Sequence, residues 1–449
     1  MTNRLIIVSN RLPVSVQEEH GHLTLSRSNG GLATALASLF NQETSLWVGW
    51  TGLRRHLSKR ELTRLQFPPC FVPVNLTQKD IAGYYDGFSN SILWPLAHGL
   101  PISTHHTPEL WHIYQRVAEH FADTLTTVLR PTDVIWIHDY HLIALPGILR
   151  DRGVTNKIGF FLHTPFFPPT MLSAVPHISE LMHSLQAADL IGLQTAHDVA
   201  NFNGAATQLA IPMRNAIKAF PIGIDFEQFD SQIDDAHVQS LVVKNRQLAE
   251  DKTVIFSLSR LDYTKGIITQ LDAYERLLRT MKEPQRLMYR LNVAPSREQA
   301  HEYVRLKHQI EHHVQAINQK YQTAAWQPIL YSYENLGVQD IASWHQIADI
   351  HLNLPIADGM NLIAKEYIAS RREPGVLIIS STMGAAAQLT DAIIVPPNNT
   401  RKAAEALMQA LAMEPNERAK RWQQLRKTVR TTQAADWAKS FLESLSLTP

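Results

Sequence analysis

Short apolar runs alternate along this chain with longer stretches in which apolar residues recur every three or four positions. Residues 5–8, 45–50, 134–137, 158–162 and 190–193 are apolar or nearly so throughout. Runs of that length without polar alternation fit strands covered on both faces, as in parallel sheets. Between them, Leu110, Tyr114, Val117, Phe121, Leu125 and Leu129 mark one face of a helix predicted over 108–129. After Asp225 the apolar runs stop until Thr253. They then resume at 254–258, 287–291, 350–352, 376–379 and 392–395, again separated by helical spacing. Strand–helix alternation occurring twice predicts two Rossmann-like, doubly wound α/β domains. The expected division is 1–225, 226–430 and a helical tail over 431–449 that packs back toward the N-terminal domain. Ligands of such sheets sit beyond the carboxyl ends of the strands. Two domains facing across a cleft would therefore present polar residues that follow strands.

Length and composition agree with this picture. A chain of 449 residues is about three times the ~150 residues of a rough one-domain prior. With 45% hydrophobic and 18% charged residues, disorder is excluded. Lys and Arg number 42 against 41 Asp and Glu, a balance of +1 that offers no broad field to nucleic acid or an anionic membrane. Cys70 is the only cysteine, so no disulfide forms within the chain. The opening MTNRLIIVSNRLP has too short an apolar core for a signal peptide, and no run reaches the ~18 residues of a spanning helix. A cytoplasmic enzyme, with self-association left open, is the expectation.

The candidate chemistry follows the predicted strands. Ser9, Asn10 and Arg11 end the first, and Gly30-Gly31 precedes a helical stretch, where backbone N–H groups can approach an anion. Paired glycines also mark ordinary turns, and no G-x-G-x-x-G dinucleotide fingerprint is present. Arg260 and Lys265, five residues apart in SRLDYTKG with Gly266 as pivot, can clamp a diphosphate from two sides. Arg297 repeats the placement after 287–291. In DGMNLIAKEY, Gly359 permits a tight turn after Asp358, and Glu366 lies two turns into a predicted helix, where a carboxylate suits ribose hydroxyls. Asp139 and His163 each follow a buried strand. His138 and His141 flank Asp139 without zinc-site context, and no nucleophile elbow occurs.

Thirteen strings, among them VSNRLP, WVGW, YYDGFSNSILWP, IWIHDYH, GFFLHTPF, SRLDYTKGI, APSR and DGMNLIAKEY, resemble in order those of glycosyltransferase family 20, the retaining trehalose-6-phosphate synthase family. The resemblance spans nearly the whole chain. It implies a two-domain GT-B fold, a nucleotide-glucose donor (UDP-glucose foremost) and glucose 6-phosphate as acceptor, with no metal or other cofactor. By the same resemblance, acceptor phosphate falls to Arg11, Tyr85, Trp94 and Arg297, and the acceptor sugar to Asp139. His163 and Asp358 contact the transferred glucose, and Glu366 the ribose. Arg260, Lys265, Gly31 and the Leu362 backbone take the donor diphosphate. Four departures stand out: Ile356-Ala357 before Asp358 in place of Leu-Arg, Phe166-Phe167-Pro168-Pro169 in the turn, a short stretch between Thr195 and Pro221, and Leu336 where the base binds. They leave room for ADP- or GDP-glucose, for glycerol 3-phosphate or a pseudo-sugar phosphate as acceptor, and for a non-catalytic sugar-phosphate regulator.

Overall fold

The structure, a computed structural model, describes residues 4–27, 36, 40, 44–102, 107–297 and 300–448. The chain divides into two compact units, Met1–Ile222 with Ala434–Pro449, and Gly223–Gln433. Among the described residues no helix is long and apolar enough to cross a membrane.

The first unit is built on a parallel sheet ordered β5-β4-β1-β6-β7-β8-β9. Its strands are β1 (Leu5–Arg11), β4 (Ser45–Trp50), β5 (Phe71–Val74), β6 (Val134–His138), β7 (Lys157–Phe161), β8 (Leu190–Leu193) and β9 (Ala216–Ala219). A separate antiparallel hairpin joins β2 (Val14–Glu19) to β3 (His22–Arg27). The second unit repeats the design with β10 (Thr253–Arg260), β11 (Leu287–Ala294), β12 (Ile329–Tyr333), β13 (Ile350–Asn353), β14 (Val376–Ser380) and β15 (Ile393–Val395), ordered β12-β11-β10-β13-β14-β15 and parallel throughout. Each sheet therefore starts at its middle, grows to one edge and then restarts beside the first strand on the other side. Such a reversal opens a crevice at the carboxyl ends of the two central strands. In the first unit those strands are β1 and β6, and in the second β10 and β13.

The expected two-domain α/β architecture is present, and so is the helix expected at 108–129, which runs Pro108–Val128 with Tyr114, Val117, Phe121 and Leu125 buried. The chain returns to the first unit through helix Ala434–Ser446. Its Phe441 stacks on Trp136 at 4.7 Å. A Cβ at Gly159 would come within 2.6 Å of the Phe441 ring, so glycine lets this helix settle directly on β7. Burying one such phenylalanine contributes about 1.5–3 kcal/mol.

Candidate active site

In the first unit, Arg11 closes β1 and Asp139 follows β6, on either side of the sheet's reversal. The Arg11 guanidinium lies over the Trp50 ring at 4.8 Å and donates to Ser15 Oγ at 3.1 Å. Burial lowers its pKa, and nearby Tyr85 pulls in the opposite direction. Its Nε is buried without a hydrogen-bond partner, and no carboxylate pairs with Arg11 among the described residues. A half-buried cation with no counter-charge is poised for an anion brought by a ligand.

Tyr85 sits in a π-helical segment, Ile81–Leu93, that delivers Trp94 at its end. Windings of this kind are rare and concentrate at functional sites. Tyr85 stacks on His141 at 5.7 Å, His141 lies 3.9 Å from Tyr140, and Tyr140 packs against Trp94 at 5.7 Å. One aromatic chain thus ties Arg11, Tyr85 and Trp94 to the loop that bears Asp139.

Asp139 holds φ 76° and ψ 166°, a backbone region that glycine alone visits freely. Its N–H donates to Phe161 O at 2.8 Å, and its O accepts from Leu142 N at 3.0 Å, so the neighbouring strand and turn hold the strain. The carboxylate accepts the backbone N–H of His163, which follows β7, at 3.3 Å. The His163 ring is neutral, its pKa pushed down to about 3 by burial. Its Nε2 meets Nδ1 of the fully buried His138 at 3.1 Å.

In the second unit Asp262 is the hub. It is fully buried just past β10, and burial alone would raise its pKa; Arg297, Lys265 and Arg260 together hold it below the usual value. Asp262 Oδ1 accepts from Thr264 N and Oγ1 at 2.9 and 2.8 Å. Its other oxygen takes the Tyr303 hydroxyl at 3.3 Å and lies 3.8 Å from Arg297, which itself donates to Tyr303 at 2.6 Å. Arg297 therefore stands with Arg260 and Lys265 around one carboxylate. Lys265 Nζ also reaches Asp358 Oδ2 at 2.6 Å. Arg260, Lys265 and Arg297 thus gather with Asp262 and Asp358 at the carboxyl ends of β10, β11 and β13.

Asn361 completes this edge. It donates to Asp358 at 3.0 Å, accepts from Asn353 at 2.7 Å, and caps helix Leu362–Ala369 through the Ala364 N–H at 3.4 Å. The left-handed residue of this turn is Asn361, at φ 71°, where the sequence suggested Gly359 as the flexible point. The first helical N–H groups at Leu362 thus open beside Lys265, a favourable place for phosphate. One turn on, Glu366 is half-buried, has no side-chain partner among the described residues, and is pushed up to about pKa 7 by burial.

Arg11, Tyr85, Trp94, Asp139 and His163 are brought together in the first unit. Arg260, Lys265, Arg297, Asp358, Leu362 and Glu366 are brought together in the second, and Gly31 lies outside the described residues. Sequence reasoning did not single out Asp262, Asn361 or buried Lys365, whose Nζ bonds Gln388 at 2.7 Å and whose pKa burial lowers to about 7. Asp262 lay inside the string that carries Arg260 and Lys265. Nothing in the sequence revealed that Arg297, 35 positions away, would share it.

The model of glycosyltransferase family 20 matches residues 3–447. The chain is 36% identical to a bifunctional trehalose-6-phosphate synthase/phosphatase from Thermoproteus tenax over 98% of its own length and 63% of that protein's. It is 34% identical to an α,α-trehalose-phosphate synthase [UDP-forming] A from Dictyostelium discoideum, again spanning 63% of the relative. A trehalose-6-phosphate synthase from Enterobacter sp. (strain 638) is 33% identical and covered to 95%. Among solved structures, an α,α-trehalose-phosphate synthase (UDP-forming) from Burkholderia xenovorans in complex with glucose-6-phosphate superposes with a TM-score of 0.89 at 32% identity, over 99% of this chain and 100% of that one. An E. coli structure bound with UDP-2-fluoro glucose gives a TM-score of 0.89 at 31% identity, over 99% of both chains. On this full-length match and on sheets that carry the matching motifs at their crevices, the chain belongs to glycosyltransferase family 20.

Proposed function

We propose that the chain transfers glucose from UDP-glucose to glucose 6-phosphate with retention of anomeric configuration, giving α,α-trehalose 6-phosphate. The observation that carries the reading is chemical: an arginine with no carboxylate partner among the described residues in the first unit, and three cations gathered near a helix N-terminus in the second. Those are two sites for two phosphate-bearing substrates. Solved relatives in complex with glucose-6-phosphate and bound with UDP-2-fluoro glucose support these two classes of substrate.

In this reading Arg11, with Tyr85 and Trp94, takes the acceptor phosphate, assisted by Arg297, and Asp139 takes the acceptor sugar. Arg260, Lys265 and the Leu362 N–H take the diphosphate, Glu366 the ribose, and Asp358 and His163 the transferred glucose. Charge grows on the diphosphate as the glycosidic bond breaks. Fixed cations and a helix dipole stabilise that charge more in the transition state than in the ground state. The acceptor hydroxyl gives its proton to the departing phosphate oxygen on the same face, so no protein base is assigned, and neither is a metal. A cytoplasmic site of action belongs to the same reading.

Incubation with UDP-, ADP- and GDP-glucose against glucose 6-phosphate and other phosphorylated acceptors tests it. The expected result is UDP release that requires glucose 6-phosphate, resists EDTA and yields an α,α linkage by NMR. Release of no nucleoside diphosphate from any donor, or a β linkage, overturns it. Turnover confined to another donor or acceptor would refute the substrate assignment.

A further inference from the structure

We infer that His138 is a positioning residue that fixes the tautomer of His163, so that His163 presents an Nδ1–H donor to its ligand. His138 Nδ1 and His163 Nε2 lie 3.1 Å apart, and one proton must occupy that contact. Both rings are neutral, since burial lowers the pKa of each. Two arrangements remain. Either His138 donates from Nδ1, leaving its own Nε2 bare and the His163 proton on Nδ1, or His163 donates from Nε2, which puts the His138 proton on Nε2.

The surroundings of His138 decide between them. Its ring is fully buried between Trp136 at 4.6 Å and Phe161 at 6.4 Å, and its Nε2 has no hydrogen-bond partner among the described residues. The Trp136 indole N–H beside it is likewise buried and unpartnered. The second arrangement would leave two orphaned N–H donors in one apolar site. The first leaves a bare ring nitrogen next to one such donor. Buried N–H groups without acceptors are the rarer and costlier defect, so His138 donates.

His163 is thereby held as a neutral ring whose remaining nitrogen, Nδ1, carries hydrogen. Its backbone is pinned in turn by the Asp139 carboxylate. An N–H donor at this point selects a hydroxyl oxygen as partner and does not take up a proton near neutral pH. What the donor meets rests on the sugar-transfer reading above, but the tautomer does not.

Selective ¹⁵N labelling of the 21 histidines tests the tautomer directly, with the His163 signals identified by their disappearance in H163N. The expected spectrum has His163 protonated at Nδ1 and bare at Nε2 at pH 7–8; protonation at Nε2 overturns the proposal. In turnover assays H138L should lower kcat about tenfold or more with little change in KM, the scale of losing an orienting partner. H138N, whose amide can donate from the place of Nδ1, should restore most of that loss. Parent-like turnover in H138L refutes the positioning role. If H138L does not fold, the parent spectrum still decides the tautomer. A parent without transferase activity would sink the functional reading while leaving the spectrum to be read on its own.

Discussion

Glu366 embodies a conflict between folding and binding at the scale of a single side chain. Its carboxyl is half-buried, has no partner among the described residues, and is pushed up to about pKa 7. A folded-state pKa above the unfolded value of 4.5 means that the folded chain holds a proton that the unfolded chain has lost between those limits. Stability contributed by this group is present below pH 4.5 and lost as pH rises through 7. Replacing Glu366 with Gln should therefore stabilise the protein at pH 8, by about 1–3 kcal/mol, and leave it unchanged at pH 4.5. Donor binding should run the other way. The ionised form accepts two hydroxyl hydrogen bonds, so donor KM should fall between pH 6 and 8 in the parent and lose that pH dependence in E366Q. Thermal unfolding and donor titration at both pH values check the pair; equal unfolding temperatures for parent and variant at pH 8 would refute the strain. At this scale the sequence showed residue types and their place after strands, which is why Arg11, Asp139, Arg260 and Lys265 could be named. Burial and partnership were not legible, because Asp262 and Arg297 meet only through the pairing of β10 with β11.

Secondary-structure elements were legible in proportion to how completely they are buried. The central strands β1, β6, β7, β8, β10, β13 and β14 all announce themselves as apolar runs. The strands that the pattern did not reveal are β5, β9 and β12 at sheet edges, and the detached β2–β3 hairpin. An edge strand is covered on fewer sides and carries mixed residues, as in the half-exposed Ala216–Ala219. Turn chemistry was legible where geometry admits one residue, and Gly266 is such a place. It adopts φ +62°, and a Cβ there would lie 2.0 Å from the Leu354 carbonyl oxygen. The turns after β10 and β13 touch at that point, and they carry Lys265 and Asp358. Gly266→Ala should cost about 2 kcal/mol or more, from left-handed backbone strain and the forced shift together. It should also reduce turnover at least tenfold by parting the two turns. Calorimetry and kcat would show it, whereas a parent-like melting temperature and rate would mean that the turns yield without consequence.

Across the whole molecule, one design is used twice: each unit builds a parallel sheet that reverses at its centre, and each brings two histidine rings into contact at or beside its strands. The repeated strand–helix alternation made this duplication legible. The return of the tail to the first unit was expected from the sequence, but its close seat was not, because that depends on Gly159 and Gly192 leaving room for Phe441. In the first unit the histidine pair is His138 and His163; in the second it is His345 and His351, whose ring centroids lie 5.6 Å apart among Phe256 and Tyr367. All four ring nitrogens of the second pair are buried without hydrogen-bond partners among the described residues. Burial lowers both pKa values, that of His351 to about 3, against 6.5 in an unfolded chain. Below pH 6.5 the unfolded chain takes up protons that the folded chain refuses. Their contribution to stability is thus fully present above pH 6.5 and is lost as pH falls toward 3, at up to about 1.4 kcal/mol per pH unit for each such group. His351→Phe, which preserves the stacking on Tyr367, should flatten the dependence of unfolding free energy on pH between 6 and 4.5 by about one proton. Denaturant unfolding followed across that range would read the slope, and a slope equal to the parent's would show that acid acts on the protein through other groups.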